Sequence, residues 1–302
     1  MNISDKVYDV IYIGNYTKDT ITSPAGVKYV DGGAVNYAAH AANALGFRVA
    51  VVTRLSQDDD RVVERLRQTG IDCYPTYTRS STLMHLDYPT LNPDMRELTV
   101  ADTAGTITVE EITEYKARTA VVGTSFRGEV NMDVVRALRG SGMTVGVDMQ
   151  GFARVLRDQK LCYEAWPGLA DACAEIDILK TDAVEAYHLT GESDIYRAAA
   201  VFAEMSVKEV VLTHKDGLLV LVDGQKFEAG FFPASMEGRS GRGDTCLGSY
   251  AALRMRMPPS DACLWAAAVT SLKMERMGPF NRTIAEVEQF IESRYRSKLM
   301  AG

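Results

Sequence analysis

The sequence predicts an α/β fold with a mostly parallel central sheet, helices on both of its faces, and a small β lid over one edge. Three observations predict it. Short apolar runs of strand type alternate with helical patterns along most of the chain. The alternation breaks in extended pieces at about 16–31 and 81–101, which fit neither rhythm. Beyond residue 242 the pattern is helical nearly to the end.

In order, VYDVIYIG (7–14) reads as a buried strand ending in glycine. AVNYAAHAANALG (34–46) reads as an alanine-rich helix stopped by Gly46. FRVAVVTRL (47–55) is the next strand. DDDRVVERLRQTG (58–70) is an amphipathic helix with acids at its start, as the helix dipole favours. STLMHLDYP (81–89) and RELTVADTAG (96–105) are extended and joined through a proline turn; with 16–31 they make the expected lid. ARTAVVGTS (117–125), a helix over 131–139 and MTVGVDMQG (143–151) resume the rhythm. EIDILKTD (175–182), KEVVLTHKDG (208–217) and LLVLVDGQKFEAG (218–230) supply further strands. In such sheets ligands bind at strand carboxyl ends. That singles out Gly14–Asp19, Asp148–Arg154, Lys180–Glu185 and Thr213–Gly217.

Composition excludes some classes of function. The chain has 302 residues, 46% of them hydrophobic, and a formal net charge of −7. An acidic surface without a basic stripe speaks against a nucleic-acid partner. No apolar run approaches the roughly 20 residues that span a bilayer, so no membrane partner is expected. The five cysteines form no C-x-x-C pair, and no signal peptide is apparent. A cytoplasmic protein with reduced thiols is the expectation. The four histidines show no metal-ligand spacing. No P-loop is present, and a nicotinamide-dependent oxidoreductase lacks its glycine fingerprint.

Two stretches carry chemistry. In GRSGRGDTCLGSY (238–250), Gly241 and Gly243 free the backbone so that successive N–H groups can surround an anion. A helix starting near Asp244 adds its positive end. Asp244 is then either the N-cap of that helix or a base beside an anion site. Arg239 and Arg242 add charge that a cap does not need. In DGGAVNYAAHAANALG (31–46), two glycines let a ligand approach the backbone, with Asn36 one turn into the helix; a loop feeding a packing helix is the other reading. Met274 and Met277, before Gly278-Pro279, read as helix packing or as an adenine pocket.

Together these stretches resemble the N-terminal glycine signature and the C-terminal T-G-A-G-D-x-F signature of the ribokinase/PfkB carbohydrate kinases, in the family's order. The resemblance covers nearly the whole chain. It implies one ribokinase-like kinase domain over 1–302, a three-layer α/β/α sandwich with a β lid. It also implies ATP and Mg²⁺ as cofactors, phosphorylation of a hydroxyl on a small sugar, polyol or nucleoside, and pairing of lids in a homodimer. Carried over residue by residue, Asp244 resembles the general base. Gly241, Arg242 and Gly243 resemble the anion hole. Asp19, Gly32, Gly33 and Asn36 resemble the substrate-binding set. Asp182 and Glu185, in KTDAVE, align with the N-x-x-E motif near the magnesium, reached through water. Thr213, Lys215 and Gly217, in THKDG, align with the nucleotide loop.

The sequence departs from the family at several of these positions. Arg242 replaces a small residue, Asp182 an asparagine, and His214 and Lys215 an apolar residue and a glycine. Lys215 is either a phosphate contact or a solvated turn residue. VDMQGFARVL (147–156) contains D-x-Q-G-x-x-R, which resembles the inositol-kinase-like branch. Gln150 and Arg154 are there as substrate or phosphate ligands, or as braces of the strand end. A non-catalytic sugar or nucleotide sensor on the same fold is the alternative function.

Overall fold

The computed structural model describes residues 6–90 and 96–296. The chain opens with β1 (Val7–Ile13) and the hairpin β2 (Thr17–Ser23) and β3 (Gly26–Gly32), then α1 (Ala34–Ala44). β4 (Val49–Ser56), α2 (Arg61–Gln68), β5 (Asp72–Thr78), β6 (Thr82–Asp87), β7 (Glu97–Asp102) and β8 (Lys116–Val122) follow. Next come α3 (Met132–Gly140), β9 (Thr144–Asp148), the single turn α4 (Gln150–Ala153), β10 (Arg154–Arg157), β11 (Lys160–Tyr163) and α5 (Leu169–Cys173). β12 (Ile178–Asp182), α6 (Ala183–Thr190), α7 (Ile195–Glu204), β13 (Glu209–Thr213), β14 (Gly217–Val222) and β15 (Gln225–Gly230) precede the helices α8 (Arg242–Leu253), α9 (Pro259–Met274) and α10 (Ile284–Ile291).

The main sheet has nine strands in the order β15-β14-β13-β12-β9-β8-β1-β4-β5. From β13 to β5 all neighbours are parallel; β14 and β15 run antiparallel at one edge. Its strands are near-continuous runs of Val, Ile and Leu because both faces are covered. One face packs against α1, α2, α8, α9 and α10. The other packs against α3, α5, α6 and α7. This is the expected three-layer α/β/α sandwich. Among the described residues no helix is long and apolar enough to cross a membrane.

A second sheet of six strands runs β10-β11-β7-β6-β2-β3. The chain enters it after β1, β5 and β9, each time from a strand's carboxyl end. Met84, Leu86, Val100 and Phe126 form a small apolar cluster beneath it. The hairpin β10–β11 is an addition to the segments read as extended in the sequence. Its turn residues Asp158 and Gln159 have φ of 47° and 66°, a left-handed pair that closes a two-residue turn. The run 218–230, read as one strand, is two. Asp223 and Gly224, at φ 49° and 75°, fold it into β14 and β15. The D-G pair was the signal for that turn. The strand read over 143–151 ends at Asp148, and α4 begins two residues later at Gln150. β5 was not read from the sequence because Pro75 interrupts its pattern; it is tolerated on the edge of the sheet.

Small residues set α1 directly on α8. A Cβ placed on Gly248 would lie 2.6 Å from the Ala38 α-carbon, so any larger residue would push the helices apart. This packing brings the starts of the two helices, and hence the two signature stretches, together above the sheet.

Candidate active site

The start of α8 is built by Gly241, whose φ of 74° is left-handed and suits glycine. No side chain caps the helix. Lys273, from α9, fixes the approaching loop by donating to the carbonyls of Gly238, at 2.5 Å, and Ser240. Burial pushes the Lys273 ammonium down to about 8. The helix starts at Arg242, so Asp244 sits inside its first turn and is not the N-cap. The Asp244 carboxyl makes no hydrogen bond among the described residues. It shares a small cavity with Tyr12, Val35, Gly123 and Asp148. Burial, then the nearby Asp148 carboxylate, pushes its pKa up to about 6.

Beside it lie the residues of the first signature stretch and of β2. Asp19, on β2, is 8% exposed, and burial pushes its pKa up to about 6. Its Oδ1 is buried with no partner. Gly32, at the end of β3, presses its α-carbon against the Asp19 carboxyl and the Thr17 hydroxyl. Gly33 lies over the backbone of Asn15 and Tyr16. Asn36 donates to the Asp31 carbonyl at 3.0 Å, and its own Oδ1 is buried and unpartnered. The Tyr37 ring lies against Gly241. Burial, then Asp19 and Asp244, raise the pKa of its phenol, so both carboxyls act on that one ring. Asp19, Asn36, Tyr37, Gly241 and Asp244 are thus brought to one place.

On the far side of Gly243 is a buried charge cluster. Lys180, at the end of β12, donates to Asp148 at 2.9 and 3.2 Å and lies 3.9 Å from Glu185. A Cβ on Gly243 would be 2.5 Å from the Lys180 ammonium, so a larger residue there would displace the end of that side chain. Burial opposes the Lys180 charge, but Asp148 and then Glu185 outweigh it and raise its pKa. Arg154 pairs with Glu185 at 3.2 Å and lies over the Tyr163 ring. Burial raises the Glu185 pKa, with Asp182 adding to it and Lys180 opposing.

Asp182 and Glu185 form a reciprocal capping box at the start of α6. Asp182 Oδ1 accepts from the Val184 and Glu185 amides, and Glu185 Oε2 accepts from the Asp182 amide at 2.9 Å. Glu185 is fully buried and its second oxygen is taken by Arg154. A protein-held magnesium does not fit a carboxylate so committed. Among the described residues no group of three or more His, Cys, Asp or Glu is placed to hold a metal.

The remaining residues are spread out. Thr213 is fully buried at the end of β13. Lys215 is 88% exposed in the turn and pairs with Asp216 at 3.8 Å. Gly217 is locked in β14, where a Cβ would be 2.5 Å from the Ala229 carbonyl. Gln150 donates its backbone N–H to Asp148 at 3.0 Å and its side chain to the Thr124 carbonyl at 3.4 Å. Arg242 lies over the Phe231 ring; burial, then Arg239, lowers its pKa. Sequence reasoning singled out the strand ends that carry Asp148 and Lys180 but gave neither residue a role, and it passed over Tyr37. A lysine closing an apolar strand was the available signal, since a buried lysine needs a partner.

The sequence pattern of the pfkB family carbohydrate kinases matches residues 3–284. The chain belongs to that family. It is therefore a phosphotransferase that acts on an alcohol group. A cytidine kinase from Thermococcus kodakarensis is 23% identical over 265 residues, covering 85% of this chain and 92% of that protein. A pyrophosphate-dependent kinase in the ribokinase family, solved with sulfate, superposes with a TM-score of 0.87 at 30% identity, covering 93% of this chain and all of the other. A pyrophosphate-dependent ribokinase-family kinase solved with a pyrophosphate analogue and myo-inositol gives 0.85 at 28% identity, over 94% and 99% of the two chains. Arabidopsis thaliana ribokinase with ribose and ATP gives 0.76 at 16% identity, over 95% and 99%, a likeness of fold.

Proposed function

We propose that the protein phosphorylates a hydroxyl of a cyclic polyol of the inositol class, with Asp244 as general base. The observation that carries this reading is the Asp244 carboxyl. It makes no hydrogen bond among the described residues, its pKa is pushed up to about 6, and it stands beside Gly241 and Gly243 at a helix start. A base with a raised pKa accepts a hydroxyl proton well near neutrality. The amides from Gly241 to Gly243 and the end of α8 face the transferred phosphoryl group.

The acceptor preference follows from the opposite wall. Asp19 Oδ1 and Asn36 Oδ1 are buried acceptors left without donors. Adjacent hydroxyls on one ring supply several donors at once, and an unsatisfied buried acceptor otherwise costs about 1–3 kcal/mol. The similar kinase solved with myo-inositol supports the same class. In the mechanism, Asp19 and Asn36 orient the acceptor under the second sheet, which acts as a lid within a single kinase domain; of the expected lid segments 16–31 and 81–101, residues 91–95 lie outside the described residues. Asp244 takes the proton as the oxygen attacks in line, and closure excludes water.

For the donor, family membership points to ATP. Two observations support pyrophosphate as the donor instead. The kinases at 28–30% identity are pyrophosphate-dependent. The stretch aligned with the nucleotide loop is here a tight hairpin turn, with Lys215 in solvent and Gly217 packed into the sheet. Magnesium, which the family implies, supplies charge neutralisation on donor phosphates when present, and it travels with phosphates more than with protein ligands. The test is a panel of inositols, pentoses and nucleosides with ATP or pyrophosphate. Transfer to an inositol from pyrophosphate is expected. Transfer only from ATP replaces the donor reading, and binding of acceptor without any transfer leaves a sensor.

A further inference from the structure

Lys180 and Arg154 have no part in the reading above, yet both are buried, at 2% and 5% exposure, in the layer behind Gly243. We propose that they form a phosphate subsite, built from protein cations, for the part of the donor that leaves. The inference rests on the reading of Gly241–Gly243 as the seat of the transferred group.

Three observations carry it. First, the Lys180 ammonium lies against the Gly243 α-carbon, with no room for even a methyl group between them. A phosphoryl group held by the Gly243 amide therefore lies within a few ångströms of a fixed positive charge. Second, the Arg154 Nε is buried without any partner, although the residue faces Glu185 through Nη2. A guanidinium has five donors, and an orphaned buried one calls for an acceptor such as a phosphate oxygen. Third, Glu185, which would otherwise serve a metal, is occupied by both cations and by its own helix cap. The protein holds lysine and arginine where a metal ion would neutralise charge. A buried ion-pair cluster is weak evidence for stability, since apolar packing does as well; a subsite gives the cluster a use.

The step balances without a further reactant. The acceptor oxygen forms the new P–O bond, the bond to the leaving phosphate breaks, and the electron pair goes to that phosphate. Lys180 and Arg154 meet its added charge. The substrate proton goes to Asp244.

The test is calorimetric titration of the full chain with inorganic pyrophosphate, in EDTA and in excess Mg²⁺. Two double variants remove each cation with its counter-charge so that no lone charge is left buried: Lys180→Met with Asp148→Asn, and Arg154→Met with Glu185→Gln, the latter keeping the cap. Thermal melts check folding, and myo-inositol titration checks the acceptor side. The wild type is expected to bind pyrophosphate in EDTA. Each double variant is expected to lose about tenfold or more in that affinity, with myo-inositol binding unchanged. Wild-type binding that requires Mg²⁺, or unchanged EDTA affinity in both folded variants, overturns the inference. Gly241→Ala, which strains the left-handed turn of the loop and meets Tyr37 but not Lys180, separates it from the underlying reading. If Gly241→Ala binds pyrophosphate as well as wild type, the glycine loop is not the phosphate seat. If Gly241→Ala loses binding while the double variants keep it, only the subsite falls.

Discussion

The acceptor wall and the donor wall of the site are built on opposite plans. On the acceptor wall, Asp19 and Asn36 each keep a buried oxygen without a partner. On the donor wall, Lys180, Arg154, Asp148 and Glu185 are paired with one another within 3.9 Å. The first wall lacks hydrogen bonds that a ligand must bring. The second already has its charges in place and needs no reorganisation when a phosphate arrives, the arrangement that electrostatic catalysis favours. Asp244 stands between them, without a side-chain hydrogen bond among the described residues.

Breaking that junction gives the largest effect. Asp244→Asn should lower kcat by about 10²–10⁴-fold, the usual range for a general base. Myo-inositol and pyrophosphate affinities should stay close to wild type by calorimetry. A variant with full turnover would remove Asp244 from the chemistry.

The acceptor wall breaks differently. Asp19→Ala should raise KM for the acceptor by about tenfold, as for loss of a charged hydrogen bond, and leave KM for the donor unchanged. Asp19→Asn should weaken the acceptor too, but raise the melting temperature, because it removes a buried carboxylate with an orphaned oxygen. An equal rise in both KM values would mean that the two walls are not independent.

How much of this was legible in the sequence differs between the walls. Gly32, Gly33, Asn36, Gly241 and Asp244 stand in contiguous motifs whose glycines have no substitute at a left-handed φ or a close backbone approach. The parallel sheet was legible because its strands are unbroken apolar runs. The donor wall was legible as the strand-end stretches Asp148–Arg154 and Lys180–Glu185, but not as an ion-pair cluster. Lys180, Asp148, Arg154 and Glu185 come from β12, β9, the β10 hairpin and α6, and no local pattern announces that they meet. Asp182 and Glu185 were legible as a motif but not as a helix cap. The hairpins β10–β11 and β14–β15 turn on single residue pairs that break no hydrophobic pattern.

pH sharpens the comparison next. Asp19 and Asp244 both have folded pKa values raised from below 4 to about 6 by burial. The folded state holds more protons than the unfolded one in that window. Their stabilising contribution is therefore complete below about pH 4 and is lost as the pH rises through about 6. Chemical-denaturant midpoints should fall across that window, and Asp244→Asn should flatten the fall. Activity should run the other way, with kcat/KM rising through about pH 6 as Asp244 becomes able to accept a proton. A flat denaturation midpoint from pH 4 to 7 would contradict the burial of these two groups.

The smallest effect belongs to the tie between the second sheet and α2. Asp31, at the end of β3, takes two hydrogen bonds from Arg61 at 2.8 and 2.7 Å and one from Arg65 at 2.8 Å. Tyr16 donates a fourth at 2.6 Å. Burial opposes its charge, but the Arg61, Tyr16 and Arg65 bonds outweigh it and hold the carboxyl well below the usual range. The contribution is present above the unfolded pKa and is lost as the pH falls through the lower folded value. Asp31 precedes Gly32 directly and its carbonyl holds the Asn36 side chain, so the tie positions the acceptor wall alone. Arg61 is 55% exposed, so solvent screens the pair to about 0.2–1 kcal/mol. Arg61→Ala should therefore raise the acceptor KM by no more than about fivefold. The donor KM should not move. A matching rise in the donor KM would show the second sheet reaching across both walls.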